Sequence, residues 1–328
     1  MKIALVLNTR LADDEFQVEF DPPATIELIR KGIIAAGHEY VFIEGDENVV
    51  ESLKIHRPDL VFNRSEGIRG ESRESHVPCI LEMLGIPYVG SGPKTLAVCL
   101  DKAWTKTFVA ARGVDTPDFE VLAVPADVDG CRMDFPIILK PNAEGSSIGI
   151  NEDNVVRDHE TFVIKAKQML NTYRQPILAE QFIAGREISV GMIGRNGSGP
   201  EILPLLEVDF SRMPESVGNV FGQIAKTEYD DMSHYLCPAR VNPGLEAVVK
   251  AEALRVWRSL GIRDFVRIDF RVDEFGRPRF LEANPLPGMD FDLRENDFSF
   301  FTLMAFRGGY DYNSLVAALI DSAMGRMT

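Results

Sequence analysis

Residues 264–290 read DFVRIDFRVDEFGRPRFLEANPLPGMD, and the fold is decided there. Val266, Ile268, Phe270 and Val272 alternate with Arg267, Asp269 and Arg271, the period-two signature of a strand with one buried and one polar face. A turn over Glu274–Arg277 leads into a second strand, Arg279–Asn284, whose Phe280, Glu282 and Asn284 share one face while Leu281 and Ala283 take the other. A hairpin closed by that turn sets Asp269 opposite Glu282 and Arg267 opposite Asn284. Two carboxylates and an amide oxygen meeting on one face suit a hard, oxygen-seeking cation such as Mg²⁺, with Mn²⁺ as the alternative. The neighbouring arginine complements a phosphate riding on that metal. A solvated sheet face is the competing reading of the same alternation.

At 328 residues the chain exceeds one small core, so two or three domains are expected. The net charge of −15, with no run of Lys or Arg, argues against a nucleic-acid partner. Any phosphate must therefore be held by locally placed cations. No apolar run approaches the ~18 residues that cross a bilayer, and MKIALVLN has no small-residue cleavage site. Cys79, Cys99, Cys131 and Cys237 form no CxxC and read as buried free thiols. These features lead to the expectation of a cytoplasmic protein without a membrane partner. The histidines are dispersed, and neither HExxH nor a Ser–His–Asp signature occurs.

Outward from the hairpin, residues 1–92 alternate strand and helix signals: strands at Lys2–Leu7, Glu39–Ile43, Leu60–Asn63 and Pro87–Val89, helices at Ala24–Ala36 and Ser75–Leu84. That is the pattern of a small parallel sheet with helices on its faces. The loop NRSEGIRGESRES follows the third strand, where such sheets take ligands, and puts Glu66, Arg69, Arg73 and Glu74 together. After a hinge at Gly90–Pro93 come a helix over Thr95–Arg112 and strands at Phe119–Val124 and Pro136–Pro141. KPNAEGSSIG, residues 140–149, runs from a strand into a Gly/Ser loop with Lys140 at its mouth. Such a loop lets backbone N–H groups approach a phosphate, although it is not a Walker A sequence. A helix from His159 to Leu170 and a strand over Ile177–Gln181 follow, with Glu180 and Glu187 flanking a turn at Gly185. Residues 200–240 are poorly patterned and read as a lid. Helices over Gly244–Leu260 and Tyr312–Met324 flank the hairpin.

The order IPYVGSG, LDK, IILKPNAEGSSIG, LAEQFIAGREISV, YLCPA, FVRIDF and FLEANPLPGM resembles D-alanine–D-alanine ligases and related ATP-grasp ligases, from residue 58 onward. The resemblance implies an α/β, three-domain ATP-grasp fold: a parallel α/β domain over 1–92, a central α+β domain over 93–185 and a C-terminal α+β domain over 186–328. It implies ATP as substrate, a small-molecule carboxylate and amine as partners, and a homodimer. By the same likeness Lys102 and Lys140 touch ATP phosphates, and Ser146, Ser147 and Ile148 form a flap over them. Glu180, Gln181 and Ile183 read adenine beside Leu281, while Glu187 binds ribose. Lys226 reaches the γ-phosphate, and Asp269, Glu282 and Asn284 hold the metal. Arg267 and the backbone at Gly288 steady the reacting acyl centre.

The sequence departs from the family pattern in three places. Thr227 stands where those ligases commonly carry a loop tyrosine that bonds the flap at Ser146. DFDLREN, with Asp290, Asp292 and Leu293, replaces a small hydroxyl residue that receives the second substrate's carboxylate. The first turn lacks the expected glycine-rich start, and Glu19 stands near the family's amine-binding glutamate. The reading is thus an ATP-dependent carboxylate–amine ligase whose substrates are not two D-alanines, with an acceptor bearing a cation near Asp290 and Asp292. Alternatives are a genuine D-alanine–D-alanine ligase, a non-catalytic nucleotide-binding protein, and a kinase or carboxylase of the same fold.

Overall fold

The structure is a computed structural model that describes all residues except 13–16, 198, 215–216, 230, 293–296 and 328, and the side chains of 227 and 297. Leu293 and the side chain of Thr227 therefore lie outside the described residues. The chain folds into three principal sheets. The first is parallel, in the order Glu39–Glu44, Lys2–Leu7, Leu60–Arg64, Tyr88–Val89. Lys2–Leu7 is apolar after its first residue because both faces are covered. Ile3, Leu5 and Leu7 pack with Ile29 and Ile33 of helix Pro23–Ala35, while Ala4 and Val6 pack with Leu53, Val77 and Leu81. Gly32 lies against Val316 of the last helix, Tyr312–Met324, so closely that a Cβ would stand 2.7 Å from it.

The second sheet is antiparallel, in the order Phe119–Leu122, Ile177–Gln181, Ile137–Pro141, Val155–Val156, with helix His159–Tyr173 buried on one face. The third runs Tyr235–Leu236, Leu206–Val208, Arg186–Ile193, Phe265–Val272, Pro278–Asn284, with Glu201–Ile202 paired to the outer end of Arg186–Ile193. Phe265–Val272 is paired along both edges. Its Val266, Ile268, Phe270 and Val272 enter a core with Val249, Ala253 and Val256 of helix Pro243–Leu260. Among the described residues no helix is long and apolar enough to cross a membrane.

Two local departures from the sequence reading shape the site. The helix expected over 95–112 is two helices, Pro93–Leu100 and Lys102–Ala110. The break falls at Asp101, whose backbone is extended and whose carboxylate accepts from Trp104 N at 2.8 Å. Asp101 is an N-cap, and the cap makes Lys102 the first residue of a new helix. In the hairpin, Asp269 faces Glu282 and Arg267 faces Asn284, but a bulge after Asp269 pairs Phe270 with Phe280. The extra residue turns Phe280 into the core, edge-on to Phe270 with ring centroids 6.1 Å apart. Phe280 therefore does not share the face of Glu282, as strict alternation predicts.

Asp264, just before the central strand, joins three parts of the chain. It is buried, at φ +57°, a left-handed conformation that Asp tolerates. Its carboxylate accepts from Gly90 N at 2.7 Å, from Ser322 Oγ at 2.7 Å and from Arg326. Asp264→Ala leaves all three donors unmatched and is expected to cost about 3 kcal/mol of stability, measured from urea unfolding midpoints. Asp264→Asn, which keeps a side-chain oxygen acceptor, is expected to lose less.

Candidate active site

A cleft of about 250 Å³ lies between the second and third sheets. Its floor is the polar face of the hairpin, which the pleat supplies as Arg267, Asp269 and Arg271 in succession. Because of the bulge, Leu281 and Glu282 both line the cleft although they are adjacent in sequence. Arg267 Nε lies 3.0 Å from Asp269 Oδ2, and its Nη2 3.7 Å from Glu282 Oε1. Asp269 also accepts from Ser189 Oγ at 2.6 Å. The Asn284 amide spans the two carboxylates, at 3.2 Å from Asp269 and 3.3 Å from Glu282. Rotating that amide by half a turn presents its oxygen to the same point.

Burial raises the Asp269 carboxyl against the pull of Arg267. For Glu282 burial acts the same way, but Lys102, Arg267 and Lys226 together overcome it and hold the group below the usual range. Among the described residues no three of His, Cys, Asp and Glu converge as a metal cage. A cation here would draw on Asp269, Glu282 and the Asn284 oxygen, filling its shell from phosphate and water. That donor set fits Mg²⁺, which is seldom held by protein groups alone.

At the far end of the cleft, Glu180 is 1% exposed and sits between two ammonium groups, Lys140 Nζ and Lys106 Nζ, each at 2.6 Å. These cations outweigh burial and keep Glu180 below the ordinary carboxylate range. Lys106 is fully buried and also reaches Thr116 Oγ1 and the Phe280 carbonyl, each at 3.1 Å. The sequence reading missed it; its one signal was a lysine four residues after Lys102, on the same helix face. Glu187 pairs with Arg271 at 2.8 Å. Arg271 also donates to the Ile183 carbonyl at 3.0 Å and to Asn219 O. One buried guanidinium thus ties the 181–183 turn, Glu187 and the lid together.

The lid lies on the flap. Ser146 and Ser147 adopt positive φ, +47° and +59°, and Ser147 Oγ donates to Phe221 O at 3.1 Å. Gln223 N donates to Ile150 O at 2.8 Å, and Ile224 N to Asn151 Oδ1 at 2.9 Å. The contact is therefore built mainly from backbone, with Ser147 as its flap hydroxyl. Behind it, Phe221 stacks on Phe300 at 5.0 Å, and the Arg267 guanidinium lies over the same Phe300 ring at 5.8 Å. Lys226, on the short helix Gln223–Glu228, points into the cleft over Phe221. Burial and the nearby Arg267 lower its ammonium to about 8.

A second chamber of about 120 Å³ opens from the first at a neck formed by Lys102, Ser146, Lys226, Arg267, Glu282 and Gly288. Asp290 lines both chambers and accepts from Thr25 Oγ1 at 2.5 Å. Gly288 and Pro287 are pinned by their carbonyls, which accept from Ser299 Oγ and from Arg64 at 2.6 Å respectively. Asn284, Glu19, Glu66 and Glu74 line the inner chamber. Arg73 closes its rim by pairing with Glu19 at 2.8 Å and Glu144 at 3.2 Å. Asp292 is exposed and lines neither chamber.

A cleft between two antiparallel sheets, floored by charged hairpin residues and closed by a flap and lid, defines an ATP-grasp protein. The fold matches the crystal structure of D-alanine–D-alanine ligase from Bacillus anthracis complexed with ATP at a TM-score of 0.72 and 22% identity, over 99% of this chain and 97% of that one. The family model described as D-ala D-ala ligase C-terminus matches residues 109–321. An uncharacterized protein of Sinorhizobium fredii, y4sG, is 32% identical over 91% of this chain and 88% of its own length. D-alanine–D-alanine ligase of Bordetella petrii is 32% identical over 90% of this chain and 85% of its own. This chain belongs to the D-alanine–D-alanine ligase family.

Lys106→Met is expected to cost about 3–5 kcal/mol in urea unfolding, because it leaves the buried Glu180 charge with one partner. The double variant Lys106→Met/Glu180→Leu is expected to recover much of that loss.

Proposed function

We propose that this protein is an ATP- and Mg²⁺-dependent ligase that joins a carboxylate to an amine through an acyl phosphate, with amino acids or similar small molecules as substrates. The observation that carries the proposal is the neck. Lys102, Lys226 and Arg267 meet Asp269 and Glu282 where a nucleotide-sized cleft opens into a smaller chamber. A carboxylate in the inner chamber attacks the γ-phosphorus of ATP, and ADP leaves. An amine then attacks the acyl phosphate, and inorganic phosphate leaves as the amide forms. Lys102 and Lys226 offset charge on the transferring group, and Arg267 stabilises the tetrahedral oxyanion. Mg²⁺ held by Asp269, Glu282 and Asn284 would supply further charge neutralisation.

In this reading Glu180, Gln181 and Ile183 receive adenine above Leu281, Glu187 takes the ribose, and Lys140 stands between the two ends. The Ser147–Phe221 contact keeps water from the acyl phosphate. We assign residues 1–92, 93–185 and 186–328 to the three domains, and the homodimer and cytoplasmic location implied by the resemblance belong to the same reading. A genuine D-alanine–D-alanine ligase is the second reading, favoured by the relatives' names. The surplus of carboxylates in the inner chamber disfavours it.

Incubating the protein with ATP, Mg²⁺ and an amino-acid panel should release phosphate and yield a product with new amide mass. If no carboxylate–amine pair raises ADP formation above background, the ligase reading fails. Asp269→Asn and Glu282→Gln should each lower kcat by about 100-fold or more, and full activity in either would remove the metal assignment. The lowered Lys226 ammonium is charged below about pH 8 and loses its proton above it. The kcat/KM for ATP should therefore fall as pH rises through about 8, and Lys226→Arg should flatten that limb.

A further inference from the structure

The inner chamber holds more negative charge than its own cations balance. Its arginines are already engaged. Arg64 grips Asp21 through two bonds at 2.9 and 3.2 Å and holds Pro287 O with its remaining nitrogen. Arg10 is turned to the carbonyls of Gln17, Val18 and Phe20. Arg73 serves Glu19, Glu144 and Ala143 O. Arg267 serves Asp269, and Lys102 reaches Glu144 O and Glu282.

Glu66 and Glu74 are left over. They are 6% and 8% exposed, both line the chamber, and neither carboxylate takes a hydrogen bond or ion pair among the described residues. An uncompensated buried carboxylate is expensive, so two of them facing one small space mark a site for something positive.

We infer that Glu66 and Glu74 form a cation-binding subsite of the inner chamber, and that the substrate seated there is an amino acid with a second cationic group on its side chain. This rests on the ligase reading, which fixes the direction of the substrate: its carboxylate must face Arg267 and Lys226 at the neck. The opposite end then meets two carboxylates. One α-ammonium balances a single charge; a diamino acid balances both. Asp290 and Asp292, the acidic pair that the sequence suggested, do not fill this role. Asp290 is bonded to Thr25, and Asp292 lies outside the chamber. Without a ligand, burial raises both Glu66 and Glu74, reinforced by the nearby Glu74 and Glu19 at Glu66 and by Glu19 at Glu74, so the site retains protons that a cation would displace. Glu19, Asp21, Arg64, Arg73 and Lys102 are the other charged groups acting on them.

The test is calorimetric titration of the full-length protein with 2,3-diaminopropionate, ornithine, lysine and alanine, in both configurations. At least one diamino acid should bind about 30-fold or more tightly than alanine of the same hand, and protons should be released at pH 7. Glu66→Gln and Glu74→Gln should each abolish most of that preference. Each should also raise the thermal midpoint without ligand, whereas loss of a purely structural residue would lower it. Equal binding of alanine and every diamino acid overturns the inference, as does a preference that survives both substitutions. The wild-type panel decides alone if a variant fails to fold. ADP formation with neutral amino acids only would sink the inference and leave the ligase reading standing. Tight diamino-acid binding with no ADP formation for any amine would do the reverse.

Discussion

Everything at this site depends on the pleat of one strand. Phe265–Val272 is hydrogen-bonded along both edges, so it cannot slip by a residue without turning its whole apolar face out of the core. Val266, Ile268, Phe270 and Val272 lock that face, and Arg267, Asp269 and Arg271 are then obliged to point into the cleft. Their signs alternate. Asp269 is flanked by two guanidiniums two residues away on either side, and the neighbouring strands bring Glu282 and Glu187 to the outer partners. Charges that would each be costly alone thereby become a mutually compensated row. The bulge adds what strict pairing could not, Leu281 and Glu282 side by side in the cleft while Phe280 closes the core below.

Much of this was legible in the sequence because it follows from period and spacing. The register of Asp269 with Glu282 needs only a short turn, and the parallel sheet needs only its alternation of apolar runs. The bulge was not legible, since strict alternation fits the run Arg279–Asn284 equally well and only the packed core shows Phe280 turned inward with Leu281 left in the cleft. The break at Asp101 carried a local signal, an aspartate capping Trp104 N, but the apolar pattern runs through it and hides the cap. Lys106 drew no reading from the sequence, and Arg271 was placed only on the strand's polar face. Lys106 meets Glu180 where helix Lys102–Ala110 packs beside the second sheet, and Arg271 meets Glu187 directly across the third sheet, both partners distant in sequence.

Neutralisation is unevenly distributed. In the larger cleft four carboxylates each have a cation within 4 Å: Glu180 with two lysines, Glu187 with Arg271, Asp269 with Arg267, Glu282 with Lys102. These four pairs balance one another within the cleft. The inner chamber is organised the other way. Its arginines hold Asp21 and Glu19 in well-bonded pairs that shape the wall, and Glu66 and Glu74 take no hydrogen bond or ion pair among the described residues.

That contrast has a structural cause in the first domain's loop. Arg64 ends a buried strand, and the 3₁₀ turn Arg73–Ser75 leads into helix His76–Leu84, so the loop between them is anchored at both ends. Anchoring fixes where Glu66 and Glu74 point. Gly145 presses on the same wall, where a Cβ would come within 2.0 Å of Glu19 Oε1. The loop carrying Gly145 and Ser146 therefore borders both the larger cleft and the acidic chamber. Burial there holds the Glu66 and Glu74 carboxyls toward their neutral form, so the cost of enclosing them is met by protons when no cation is present.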